Sequence, residues 1–267
     1  MFTDSHLHLN RHEFAGEAAA VLARAAAAGV NRFMNVGYDP ASSAASVALA
    51  ERDPRVLATV GVHPHDASLL ADPAGGITGD GERVLDELGA LARHPRVAAV
   101  GEIGLDFYRD LSPRPAQMAA FAAQVALANR LDLPVVLHIR EAYDEIIALM
   151  EQIGLPRRRG IMHSFAGDGR AAAWGVANGF LLGIGGPVTY RNSRLPAVLS
   201  DCAPENLVLE TDAPWLPPEP HRGRRNEPAY LVHTARAVAD LFDMPLAELA
   251  DVTNGNFARF SGCGTRT

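Results

Sequence analysis

Short apolar runs of strand length recur along this chain, and most are followed by an Ala-rich stretch with helical spacing. The runs cover residues 2–5, 32–36, 56–60, 97–101, 135–137, 160–162, 180–184 and 207–210, each rich in Val, Ile, Leu or Phe. Residues 17–28, 82–93, 116–130 and 142–153 predict helices among them, and Gly29, Gly154-Leu155-Pro156 and Gly179 supply the breaks that follow helices. Residues 75–81, with four glycines, read as a flexible surface loop. The tail from Pro228 predicts the last helix and a short helical extension ending near Phe260. Strand alternating with helix eight times predicts an α/β protein, a single-domain (β/α)8 TIM barrel over residues 1–267, rather than an open doubly wound sheet.

The residues that close these runs carry the chemistry. His6 and His8 end the first, Glu102 the fourth, His138 the fifth, His163 the sixth and Asp212 the eighth. A His-x-His pair on extended backbone puts both imidazoles on one face, because strand side chains alternate with period two. All six lie at carboxyl ends of predicted strands, the barrel face where active sites are built. Acids and imidazoles gathered there need a cation to offset desolvation and mutual repulsion. Four histidines and two carboxylates exceed what one tetrahedral ion uses, so the expectation is two divalent ions: His6, His8 and Asp212 around one, His138 and His163 around the other, Glu102 as bridge. Two such ions activate a water and clamp the attacking and leaving oxygens of a phosphoester, with Asp212 as proton acceptor.

Composition narrows the classes. The 267 residues, 48% hydrophobic, suffice for a substantial core. No apolar stretch reaches the roughly 20 residues of a bilayer span, and Asp and His occur within the first eight residues in place of a signal segment. Cys202 and Cys263 make no disulfide framework. These features predict a cytoplasmic protein with no membrane partner. A net charge of −7 argues against a whole-surface grip on nucleic acid, so a phosphate substrate must be held locally at the barrel mouth. All 24 basic residues are arginines, which excludes a Schiff-base lysine, a P-loop lysine and a carbamylated lysine bridge. Gly183-Ile184-Gly185-Gly186 lacks the spacing of a dinucleotide fingerprint, and no Gly-x-Ser-x-Gly elbow is present.

Asp4-Ser5-His6-Leu7-His8, Gly61-Val62-His63-Pro64-His65, Gly101-Glu102-Ile103-Gly104-Leu105-Asp106, His138-Ile139-Arg140, His163-Ser164-Phe165, Glu210-Thr211-Asp212-Ala213-Pro214 and Asn256-Phe257-Ala258-Arg259 together resemble the signatures of the TatD family of metal-dependent deoxyribonucleases. The resemblance runs in order through nearly the whole chain. It implies a TIM barrel of the metal-dependent hydrolase superfamily, with the six ligands above at the family's metal positions and Glu102 where many relatives carry a carboxylated lysine. It further implies an exonuclease acting on DNA, often from the 3' end, with Mg²⁺, Mn²⁺ or Zn²⁺. The alternative on the same site is another ester or amide bond, as in relatives that deacylate D-aminoacyl-tRNA. Phe260 stands where the family's closing motif usually continues with Leu-Phe, which touches packing.

Other residues leave two readings open. His63 faces the mouth and either donates to a substrate phosphate or orients a ligand, whereas His65 reads equally as loop surface. Glu210 is either a second-layer partner of the metal residues or a buried acid paired to an arginine. Asp106 holds either a loop or a ligand. Arg222 and Arg224, with Arg225 beside them, follow the eighth run and suit bidentate phosphate contacts, as do Arg109 and Arg140; the plain alternative is solvated charge. Arg157-Arg158-Arg159 falls at the opposite barrel end and reads as solvated. Tyr108, Tyr190 and Trp215 either stack on a base or pack.

Overall fold

The computed structural model describes residues 1–262; Cys263 lies outside the described residues. Its strands are β1 (Phe2–Leu7), β2 (Val30–Asn35), β3 (Val56–Val60), β4 (Val97–Asp106), β5 (Val135–Arg140), β6 (Gly160–Met162), β7 (Leu181–Ile184) and β8 (Leu207–Leu209). The helices are α1 (Ala18–Ala27), α2 (Pro40–Arg52), α3 (Gly79–Leu91), α4 (Arg114–Leu131), α5 (Tyr143–Ile153), α6 (Gly169–Ala177), α7 (Leu195–Leu199), α8 (Leu231–Leu241) and α9 (Leu246–Ser261). The strands form one eight-stranded sheet in sequential order, β1 through β8, with parallel pairing. Helices occupy the crossovers, so the chain has the (β/α)8 fold. No helix among the described residues is long and apolar enough to cross a membrane.

The chain divides into two compact units, Met1–Asn35 with the segment from His163 onward, and Val36–Met162. In the first unit β1 meets the end of β8: Leu7 bridges Ala213, the His8 amide donates to the Ala213 carbonyl at 2.9 Å, and the Asp212 amide donates to the His6 carbonyl at 2.9 Å. Phe33, Phe165 and Phe180 are buried in this unit, and Val21, Leu22 and Ala25 give α1 its inward stripe. Gly29, at φ +92°, ends the α1 region in a conformation that favours glycine.

The second unit shows why its helices start where they do. Asp39 accepts from the Ser42 amide at 2.6 Å while the Ser42 hydroxyl accepts from the Asp39 amide at 2.9 Å, a reciprocal cap on α2 with Pro40 in its first turn. Thr78 caps α3 through the Gly81 amide at 3.0 Å. Residues 75–81, expected as a loop, therefore split: Asp72 closes a turn around Ala74 and Gly76, and the remainder is the first turn of α3. The cap at Thr78 outweighs the low helix propensity of Gly79 and Gly81, and a Cβ at Gly81 would strike the Leu70 backbone.

Three strands run past their predicted ends, because ladder pairing continues beyond the apolar run. Gly104 to Asp106 still pair with His138 to Arg140. His6, Glu102 and His138 consequently lie inside strands instead of after them. The extension from Pro228 contains α9, a full 16-residue helix with Leu249, Ala250, Phe257 and Phe260 buried.

Candidate metal centre

In the first unit His6, in β1, and His8, just past its end, place their Nε2 atoms 3.1 Å apart. Asp212, just beyond β8, places Oδ1 3.9 Å from His6 Nε2 and 3.6 Å from His8 Nε2. Asp212 adopts the left-handed conformation at φ +55°, which Asp tolerates better than bulkier residues. Asp4 holds this strand end. Fully buried, it accepts from the Thr211 amide at 2.9 Å and the Thr211 hydroxyl at 2.5 Å, and burial pushes its carboxyl up to about 8 against those bonds. Burial also acts to raise Asp212, but bonding to His8 and the nearby imidazoles hold it below the ordinary carboxylate value. It is therefore ionised at neutral pH.

His163 belongs to the same unit. Its ring stacks on that of His6 at 3.5 Å, and its Nδ1 lies 3.0 Å from Glu210 Oε1. Glu210 is fully buried and also accepts from the Ser164 amide at 2.6 Å, so it faces His163 rather than an arginine. A Cβ at Gly183 would overlap this carboxylate. An acceptor at Nδ1 fixes the His163 proton there and leaves Nε2 with a lone pair for an electrophile.

In the second unit His138 is held on both ring nitrogens: Nδ1 is 2.7 Å from Glu102 Oε1 and Nε2 is 3.2 Å from Asp106 Oδ2. Asp106 also meets His65 Nε2 at 2.7 Å and accepts from the amides of Tyr108 and Arg109 at 3.0 and 2.8 Å. Its burial is outweighed by His138, Arg109 and His65, which hold its carboxyl well below the usual range. Asp106 is thus an acceptor, and His138 stands between two carboxylate oxygens, one at each ring nitrogen.

His63 differs. Its Nδ1 accepts from the His65 amide at 3.1 Å, which puts the proton of the neutral ring on Nε2, 3.5 Å from Glu102 Oε1. Burial and then His138 lower its pKa to about 4, so the ring is neutral and donates. In this state His63 is a hydrogen-bond donor to Glu102 or to a substrate oxygen.

The donor sets have the composition that divalent ions take. Metal bonds of about 2.0–2.1 Å in tetrahedral or octahedral geometry separate donors by roughly 3.0–3.4 Å, which His6 Nε2 and His8 Nε2 match at 3.1 Å while Asp212 Oδ1 stands farther, at 3.6 and 3.9 Å. His6, His8 and Asp212 form one group whose ligand atoms all lie within 4.8 Å of one another, and His63, Glu102 and His138 form another. Nitrogen with carboxylate oxygen is a set that Zn²⁺ and Mn²⁺ accept.

Two α4 side chains that sequence reading did not single out place the ends of β3 and β4. Buried Gln124 accepts from the Val62 amide at 2.7 Å and returns a bond to the Val62 carbonyl at 3.0 Å. Gln117, likewise buried, accepts from the Asp106 amide at 2.9 Å and donates to the Ser112 carbonyl at 2.8 Å. Their signal in the sequence is two glutamines seven apart, on one face of an Ala-rich helix. The arginines divide. Arg222 is exposed and lies over Tyr190 at 4.2 Å, Arg224 is exposed, and Arg140 lies over Tyr108 at 4.0 Å. Arg225, open in the sequence to a phosphate contact or to plain surface charge, is engaged by Glu17 at 3.0 Å and Glu227 at 2.9 Å.

A strand-end cluster of imidazoles and carboxylates on a (β/α)8 fold defines a metal-dependent hydrolase. The family model for TatD related DNase matches residues 3–262, and the chain belongs to that family. It is 34% identical over 97% of its length to an uncharacterized metal-dependent hydrolase, YabD, of Bacillus subtilis, covering 98% of that protein. It is 37% identical to the 3'-5' ssDNA/RNA exonuclease TatD of Edwardsiella piscicida, over 95% of this chain and 96% of the relative. Among solved structures, the TatD homolog YJJV of Escherichia coli superposes with a TM-score of 0.88 at 32% identity, covering 98% of each chain.

Proposed function

We propose that this protein is a 3'-5' exodeoxyribonuclease that uses two divalent ions, Mg²⁺, Mn²⁺ or Zn²⁺, with residues 1–267 as one catalytic domain working in the cytoplasm. The observation that carries the chemistry is the gathering of His6, His8 and Asp212, and of His63, Glu102 and His138, into groups whose possible ligand atoms all lie within 4.8 Å of one another. The choice of bond rests on relatives named as 3'-5' ssDNA/RNA exonucleases at 37% identity. One ion is assigned to His6, His8 and Asp212, the other to His138 and His163, with Glu102 shared.

When bound, the ions supply Lewis acidity to a phosphoester and acidify water. The side chains do the rest. Asp212, ionised and beside His8, accepts the proton of the attacking water. His63, neutral with the proton on Nε2, donates to a phosphate oxygen, and Glu210 orients the His163 ring through Nδ1. Exposed Arg222 and Arg224 grip the flanking phosphates.

The test is end-labelled DNA and RNA, single- and double-stranded, together with D-aminoacyl-tRNA, each with Mg²⁺, Mn²⁺ and Zn²⁺. Stepwise shortening of single-stranded DNA from the 3' end is expected. Intact nucleic acid under every metal, or release of an amino acid alone, overturns the reading.

A further inference from the structure

Among the described residues, guanidinium groups lie over five aromatic rings, those of Phe14, Phe107, Tyr108, Tyr190 and Trp215, and Trp215 also stands against a candidate ligand. The Tyr190 hydroxyl donates to the Pro217 carbonyl at 3.0 Å while Arg222 lies over its ring at 4.2 Å, so this ring is fixed as a packing element. Tyr108 has Arg140 at 4.0 Å and Arg109 at 5.9 Å from its centroid, two cations on one exposed ring. Trp215 stands edge-on to the His8 imidazole, with centroids 5.1 Å apart and planes at 74°. Arg11 lies over its ring at 4.7 Å and is itself oriented by Glu13, at 3.1 and 3.3 Å.

The indole is held where it is. The Trp215 amide donates to the Asp212 carbonyl at 2.8 Å, and the Trp215 carbonyl accepts from Asn226 Nδ2 at 2.7 Å. Its backbone is thus tied both to the residue that closes the first donor set and to the loop that follows. Yet 39% of the residue remains exposed. A ring that abuts a ligand by its edge and is backed by a guanidinium offers its remaining surface as a stacking platform. Every nucleobase has a π-face, so such a platform tolerates any sequence.

We infer that Trp215, backed by Arg11, stacks the terminal nucleobase of the strand and thereby sets the adjoining phosphodiester at His8 and Asp212. This inference rests on the nucleic-acid reading above. It adds that the enzyme recognises a strand end by its base, and that an end lacking a base is a poor substrate.

The experiment uses single-stranded DNA ending in a normal nucleotide or in an abasic tetrahydrofuran, with wild type, Trp215→Ala and Trp215→Phe. On normal ends Trp215→Ala is expected to raise KM about 5- to 150-fold, the range that loss of one stacked base gives, with kcat little changed. Trp215→Phe should restore much of the loss. On abasic ends wild type and Trp215→Ala should coincide, which a merely structural role would not produce. An equal KM ratio on both substrates, or none on either, overturns the platform. The chain has two tryptophans, so Trp174→Phe, a change at the ring stacked on Phe180, leaves Trp215 as sole emitter. With chelator present, base-bearing trinucleotides should quench its fluorescence and abasic ones should not; equal quenching by both overturns the platform. If wild type cleaves no nucleic acid, the functional reading fails with it; if it cleaves normally and Trp215→Ala is indistinguishable, the platform alone fails.

Discussion

The two donor sets are supported differently. In the first unit the imidazole of His6 sits on β1 and that of His8 just past its end, and the carboxylate that completes them comes from a loop. That loop is fixed by backbone-directed bonds: Asp4 grips Thr211, and Asn226 Nδ2 donates to the carbonyls of Thr211 at 2.8 Å and Trp215 at 2.7 Å. In the second unit both carboxylates, Glu102 and Asp106, lie on β4 and clasp His138 between them. One set depends on a loop staying in place, the other on a ladder that the sheet already enforces. The first should be more sensitive to changes far from the ligands, and the second to changes in charge.

The largest effects should come from the ligands themselves. Asp212→Ala and Glu102→Ala are each expected to lower kcat by about 10²–10⁴-fold, the range of a lost proton acceptor or of a misplaced electrophile. Metal content by mass spectrometry separates the sets. His8→Ala should lose one equivalent and retain the other, and His138→Ala should do the same for the second set. Loss of both ions from either variant would show that the sets do not act independently.

Next in size is Asp106→Asn. The amide keeps the shape but removes the negative charge that His138 Nε2 and His65 Nε2 face at 3.2 and 2.7 Å. Changing such a partner typically costs 10- to 100-fold in metal affinity. The expected result is weaker metal binding by the second set in a titration, with the first set unaffected and the thermal midpoint nearly unchanged. Equal weakening of both sets would contradict the division drawn here.

The six proposed ligand positions stand out in the sequence because each closes an apolar run, and the run itself marks the strand. The strand ends were less legible. Apolar content falls at Glu102 and His138, yet ladder bonds carry the extended backbone on to Asp106 and Arg140. Supports were the hardest to see. His65 and Asp106 are far apart in sequence and meet only through β3 and β4, and Gln117 and Gln124 look like ordinary polar positions until their burial is known. The partners of Arg225 are equally hidden. A run of arginines after a site strand suits phosphate, but one of them is satisfied by Glu17 and Glu227, which no local spacing reveals.

The loop-held set can be probed by Asn226→Ala. The substitution leaves the carbonyls of Thr211 and Trp215 without this donor, and a buried group left unsatisfied costs about 1–3 kcal/mol. Chemical denaturation should report a loss of that order, and activity should fall with it, since Asp212 and Trp215 flank the bonds removed. Gln117→Ala is the matching change beneath the second set. If it costs as much stability but leaves metal affinity intact, the ladder alone is sufficient to hold Asp106.

The smallest effect expected is a pH dependence in the charge network that ties the loop to α1. Arg24 donates to Glu227 at 2.8 and 2.9 Å, and Arg225 joins Glu227 to Glu17. Burial acts to raise Glu227, but the bonds from Arg24 and Arg225 outweigh it and hold its carboxyl below the ordinary value. A carboxylate depressed in the folded state contributes stability that is fully present above its unfolded pKa and is lost as pH falls through the folded one. Wild type should therefore exceed Glu227→Gln in stability at pH 7, by under about 1 kcal/mol because Arg24 is half exposed and water screens the pair. The difference should shrink as pH drops below about 4.5, the ordinary glutamate value, and it should shrink with added salt at pH 7. A gap that stayed constant across this range would mean that Glu227 holds the loop by packing and neutral hydrogen bonds, and that the first donor set owes nothing to charge for its support.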